Sequence, residues 1–151
     1  MTSPPAPATP PEARAELAAR LRLAVTRTAR RLRQQGGAEL SPTLSAALAT
    51  IARQGPLTPS ELAAAERIQR PTATRLLARL EERGLVTKTA DPVDGRLRRV
   101  AVSAAGTALL DETRARKDAW LARALDDLDE GDVAALERTA VVLERVLEEH
   151  A

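Results

Sequence analysis

A mainly helical fold carrying one small β-hairpin is the class this sequence predicts, and three observations predict it. Apolar residues recur at helical spacing through six stretches, most of them opened by Ser, Thr or Asp and several closed by Gly. Two short strand-like runs, Leu85–Lys88 and Arg99–Val102, enclose a string of turn formers. The length of 151 residues suits one domain with a core of its own better than two independent ones.

Residues 1–9 are mainly Pro, Ala and Thr and read as a disordered arm, with neither a signal peptide nor a membrane span in it. Thr9-Pro10-Pro11-Glu12 has the form of a capping box, and Leu17, Leu21, Val25, Thr28 and Leu32 follow at helical spacing, which predicts a helix over 10–35 ended by Gly36-Gly37. Ser41-Pro42 opens a second helix with Leu44, Leu48 and Ile51 on one face, and Gly55-Pro56 stops it. A third, short helix starts from the capping box Thr58-Pro59-Ser60-Glu61, with Leu57 and Leu62 placed as a hydrophobic staple, and ends near Glu66.

After a tight break at Arg67-Ile68, residues 69–83 form a fourth helix. Its apolar stripe is Ala73, Leu76, Leu77 and Leu80, and Gly84 is its stop. The strand-like runs and the turn formers Asp91 to Arg96 then make a hairpin. Ser103 caps a long fifth helix, and Asp129 caps a sixth, stapled by Leu128 and Val133. The predicted order is α-α-α-α-β-β-α-α, without internal repeats.

Composition removes most site chemistry. Without Cys there is no disulfide, thiolate zinc site or cysteine nucleophile, and the one His, His150, stands beside the C-terminus, where catalytic geometry is hard to hold. No polar catalytic cluster is found, so the chain reads as a non-enzyme without cofactor or metal, soluble and cytoplasmic. The formal charge of +2 hides an asymmetry. Residues 12–40 hold seven Arg against three Glu, residues 53–99 hold ten cations against six acids, and residues 111–151 hold six against twelve. The front of the chain attracts polyanions and the back repels them.

Two helices joined by a short break, the second carrying Arg, Thr and Gln on its open face, make a helix-turn-helix, and the hairpin behind it makes a wing. This order, with the run from Leu62 to Val86, then Asp91-Pro92-Val93-Asp94-Gly95-Arg96 and Val100-Ala101-Val102-Ser103-Ala104-Ala105-Gly106, resembles the MarR family, the multiple-antibiotic-resistance regulators. The likeness covers roughly residues 12–149. It implies a winged helix-turn-helix over 41–102 within one domain of residues 10–151, and a dimer held by the helices at 10–35, 103–127 and 129–149. The fourth helix would enter the major groove and the wing would meet the minor groove.

Carried over residue by residue, the resemblance assigns DNA contact to Gln69, Arg70, Pro71, Thr72, Thr74, Arg75 and Arg79 on the helix and to Asp94, Arg96 and Arg98 on the wing. It also implies that Asp94 holds an arginine by ion pairing while Arg96 enters the minor groove. The family commonly has Ser where Gln69 stands and a second Arg where Gly95 stands.

The residues themselves support these roles. Arg75 and Arg79 lie one turn apart, so both guanidinium groups can address one groove. Thr72, Thr74 and Gln69 sit near a helix N-terminus that favours anions. The competing readings are a solvated helix face for the arginines, simple capping for Gln69 and the threonines, and an Asp-Gly turn for the wing. Arg20, Arg22, Arg27, Arg30, Arg31 and Arg33 suit either flanking DNA phosphates or, the preferred reading, pairing with Asp126, Asp127, Glu144, Glu148 and Glu149 across a dimer interface. Trp120 reads first as core and second as one wall of an effector pocket.

The function expected is sequence-specific regulation of transcription on a pseudo-palindromic operator of double-stranded DNA, by a homodimeric repressor released by a small-molecule effector. The alternative is a winged-helix protein-interaction module that does not bind DNA.

Overall fold

A computed structural model describes residues 10–37, 39–91, 94 and 98–149. The arm at 1–9, the wing residue Arg96 and the terminal His150 lie outside the described residues. The elements, in chain order, are α1 (Pro11–Gln35), α2 (Pro42–Gln54), α3 (Pro59–Glu66), α4 (Arg70–Glu82), β1 (Val86–Ala90), β2 (Arg98–Val102), α5 (Ala104–Asp126) and α6 (Glu130–Glu149). The chain is a mainly helical winged helix-turn-helix.

Local chemistry sets most helix starts. Ser41 Oγ accepts from Leu44 N at 3.4 Å, Ser103 Oγ from Gly106 N at 3.0 Å, and an Asp129 carboxylate oxygen from Asp132 N at 2.8 Å. At α3 the capping box is complete: Thr58 Oγ1 accepts from Glu61 N at 3.3 Å while Glu61 accepts from Thr58 N at 2.7 Å. The start of α1 differs from the sequence expectation. Its N-cap is Pro10, in an extended conformation and without a side-chain cap, and Pro11 is the first helical residue. A residue that precedes proline is excluded from helical geometry, so the second proline moves the start one position downstream of the box.

The core belongs to the middle of the chain. Leu48, Ile51, Leu62, Leu80 and Val100 are fully enclosed, with Leu44, Leu57, Ala73, Leu77, Leu85 and Val86 around them. β1 and β2 pair antiparallel from Val86–Val102 to Ala90–Arg98, so Val100 points into the core. Leu57 adds a one-residue bridge to Val100 by two backbone bonds of 2.8 and 2.9 Å. Its burial beside Leu62 fits the staple expected at α3.

α1 and α6, by contrast, contain no buried residue. Leu128 and Val133, expected to staple α6, are each more than a third exposed. Among the described residues no helix is long and apolar enough to cross a membrane.

Candidate nucleic-acid interface

The turn between α3 and α4 is closed by backbone geometry. Arg67 takes the left-handed conformation at φ 53°, Ile68 N donates to Ala63 O at 2.9 Å, and Arg67 N donates to Ala64 O at 3.2 Å. This helix-ending motif usually takes glycine, and an arginine there costs about 1–2 kcal/mol of backbone strain. At the other end of α4, Gly84 supplies φ 68° and Leu85 N donates to Leu80 O at 3.0 Å. α4 is thus stopped at both ends, and its apolar stripe of Ala73, Leu76, Leu77 and Leu80 is buried.

Burying that stripe turns the opposite face outward. Gln69, Arg70, Pro71, Thr74, Arg75 and Arg79 are all exposed, and Thr72 is half-buried at the margin. Gln69 is the N-cap residue but makes no side-chain cap bond, which leaves its amide available, while its carbonyl accepts from Thr72 N and Ala73 N. The Thr74 hydroxyl donates to Arg70 O at 3.1 Å and retains its acceptor lone pairs.

Several other cations of the lobe are committed internally. Arg83 Nη1 donates to the Glu39 carbonyl at 2.5 Å, and Lys88 pairs with Glu81. Among the described residues no acid pairs with Arg70, Arg75 or Arg79. Arg75 and Arg79, one turn apart on the exposed face, and Arg70 at the first helical position, all without a paired acid among the described residues, produce a positive surface along the helix.

At the wing, Asp94 and Arg98 are exposed, and Arg98 opens β2 opposite Ala90. Among the described residues Asp91 is a wing carboxylate that grips an arginine: its Oδ2 accepts from Arg99 Nε at 2.5 Å and its Oδ1 accepts from Asp94 N at 3.0 Å. Arg99 Nη1 also donates to Pro56 O at 2.9 Å and to Glu61 at 3.1 Å, and Nη2 donates to Glu61 at 3.2 Å. One guanidinium therefore ties the base of the wing to the start of α3. The bond from Thr58 N, followed by the Arg99 contacts, holds the Glu61 carboxyl below its ordinary value, and the bond to Asp91 raises Arg99. The sequence marks Asp91 as a turn former and Glu61 as a cap, and neither role announces a pairing with Arg99.

A cavity of about 700 Å³ lies between α1, α2 and α5, lined by Arg33, Gly36, Glu39, Leu40, Ala49, Leu109, Leu110 and Lys117 among others. Trp120 is half-buried on α5 and is not among its lining residues.

The MarR family profile matches residues 40–97. An HTH-type transcriptional regulator of Mycobacterium tuberculosis is 35% identical over 136 residues, covering 89% of this chain and 95% of that one. A Pseudomonas aeruginosa PA01 crystal structure superposes with a TM-score of 0.81 at 38% identity, covering 91% of this chain and 98% of the other. A MepR mutant of S. aureus bound to an oligodeoxyribonucleotide shares the fold at a TM-score of 0.68 and 18% identity, covering 87% and 97%. The chain belongs to the MarR family of transcription regulators, which are DNA-binding proteins and not enzymes.

Proposed function

We propose that the chain is a sequence-specific, double-stranded DNA-binding repressor that acts in the cytoplasm as a homodimer on a pseudo-palindromic operator and is released by a small-molecule effector. The observation that carries this reading is the open face of α4, where Arg70, Arg75 and Arg79 stand exposed without an acidic partner among the described residues. Guanidinium forks on a groove-sized helix suit guanine edges and phosphates. Gln69, Pro71, Thr72 and Thr74 complete the helix contacts, and Asp94, Arg96 and Arg98 form the wing contacts. The DNA-bound MepR mutant lends the reading support through its shared fold.

Two further features favour the dimer. Leu17, Leu23 and Val25 on α1, and Leu136, Val141 and Val142 on α6, are exposed apolar side chains on helices that bury nothing within the chain. In addition, none of Arg20, Arg22, Arg27, Arg30, Arg31 and Arg33 meets an acid among the described residues, while Asp126, Asp127, Glu144, Glu148 and Glu149 carry the opposite charge on α5, α6 and the turn between them. A two-fold arrangement would then space the recognition helices by about 34 Å, one turn of DNA. The cavity between α1, α2 and α5 has the volume of a small-ligand site, and an effector there acts by favouring a dimer geometry with the wrong spacing.

Selection of bound sites from random duplexes tests the reading. An enriched inverted repeat with half-sites one turn apart, bound with an affinity that falls steeply with salt, is the expected result. No binding even at low salt would leave only a protein-interaction module. Addition of the protein to a promoter carrying the selected site should lower transcription, and a thermal-shift screen identifies compounds that reverse it.

A further inference from the structure

The C-terminal end of α4 is linked to α5 through two sets of polar contacts. At the first tie Ser103 Oγ donates to Gly84 O at 2.6 Å, Ser103 N donates to Leu85 O at 3.0 Å, and a Cβ on Gly106 would stand 2.1 Å from Leu85 O. At the second, Arg83, the residue that closes α4, donates to the Glu39 carbonyl at 2.5 Å. The Glu39 carboxylate in turn accepts from Arg116 Nη2 of α5 at 2.8 Å. Glu39 therefore touches the recognition helix through its main chain and α5 through its side chain.

Ser103 and Arg116 stand about 20 Å apart along α5 at the helical rise of 1.5 Å per residue; between them Leu109 and Leu110 pack against the lobe's core without directional bonds, and the polar link at the far end narrows the angle that this packing allows. We propose that Glu39 and Arg116 are positioning residues for operator recognition: by fixing the angle between α4 and α5 they set the half-site spacing that a dimer accepts. The inference rests on the reading of the chain as a dimeric DNA-binding protein.

The surroundings are built for this contact. Arg116 Nη2 also donates to Gly36 O at 3.0 Å, and Nη1 donates to Glu112 one turn earlier at 2.9 Å. Gly37 adopts φ +91°, and a Cβ there would lie 2.8 Å from Arg116 Nη2, so glycine permits the close approach of this segment to α5. Arg116 Nε is buried without a partner among the described residues, so the guanidinium is placed by its two Nη groups alone. The side chains of Arg116 and Glu39 are 32% and 49% exposed, and an ion pair so open to solvent adds little stability. Its effect is on geometry.

The test uses the full chain and duplexes carrying the selected half-sites at native spacing and with one base pair added or removed. Each added pair moves a half-site by about 3.4 Å and turns it by roughly 35°. The wild type should prefer its native spacing strongly. Glu39→Ala and Arg116→Ala should keep native-spacing affinity largely intact while the preference flattens to a few-fold, Arg116→Lys should restore part of it, and the melting temperature should barely move. Arg75→Ala, the control, should lose affinity at every spacing and keep the preference. An unchanged preference in both Ala variants overturns the inference, as does a uniform loss that tracks a fall in melting temperature. A wild type that binds no duplex, or binds all spacings alike, refutes the dimeric DNA-binding reading itself and takes this inference with it.

Discussion

The winged lobe and the long helices divide the apolar residues of this chain in opposite ways. Between Leu44 and Val100 the aliphatic side chains close on one another, so that Leu48, Ile51 and Leu80 are entirely enclosed. α1 and α6 are as long and also carry apolar stripes, yet neither buries a residue, and Leu147 is 71% exposed. The first pattern is that of a unit complete in itself; the second is what the proposed dimer requires of its interface helices. The same division holds for charge. Arg99, Arg83 and Arg116 are bound into the fold, whereas Arg75 and Arg79 face outward with no paired acid among the described residues.

The largest way to break this comparison is to charge the apolar face of α6. Leu136→Asp combined with Val142→Asp should convert a dimer to a monomer in sedimentation equilibrium and abolish operator binding, while the winged lobe keeps its helical signal. A protein that remains dimeric and binds DNA would place the interface elsewhere. Next in size, Leu48→Ala should lower unfolding stability by about 2–5 kcal/mol in a denaturant titration, because it opens a cavity in a closed core. In the monomeric Leu136→Asp, Val142→Asp background, the same truncation at Leu147 should change stability by less than about 0.5 kcal/mol, because nothing within the chain covers that side chain. Equal losses at the two positions would erase the distinction between the regions.

The contrast in charge gives a smaller effect. Arg75→Ala should weaken specific DNA binding by about 1–3 kcal/mol and relax preference at one base step. Arg114→Ala on α5, where Asp111 is the partner at 3.2 Å, should leave the affinity unchanged. An unaltered footprint for the first variant would remove Arg75 from the interface.

The smallest effect is in the pH dependence of the tie at the wing base. The folded-state value of Glu61 is depressed, so its contribution is present above the ordinary carboxylate value and is lost as pH falls through the lowered one. Stability should therefore decline on acidification, and Glu61→Gln should flatten that limb. An acid limb identical in the variant would show that other carboxylates set it.

What could be read from the sequence follows the range of the interaction. Ser41, Thr58, Ser103 and Asp129 announced their helices because a cap acts over three residues, and the stripe Ala73, Leu76, Leu77 and Leu80 fixed which side of α4 turns outward. Pro10 shows the limit even of local reading, since two adjacent prolines shifted the start of α1 off the box. The ties were illegible for a different reason. Arg99 meets Glu61 across 38 residues and Arg116 meets Glu39 across 77, and no periodicity encodes such a pairing. Trp120 stood out by its rarity alone, and the cavity is lined instead by small and aliphatic residues with Arg33, Glu39 and Lys117.

The most direct test of the account is a salt titration of binding to the selected duplex by the wild type and by the triple variant Arg70→Ala, Arg75→Ala, Arg79→Ala. Each phosphate contact contributes about 0.9 to the slope of log affinity against log salt concentration. The account predicts that the triple variant keeps its fold and dimeric state, loses specific binding and shows a shallower slope. A triple variant with the wild-type affinity and slope would contradict it.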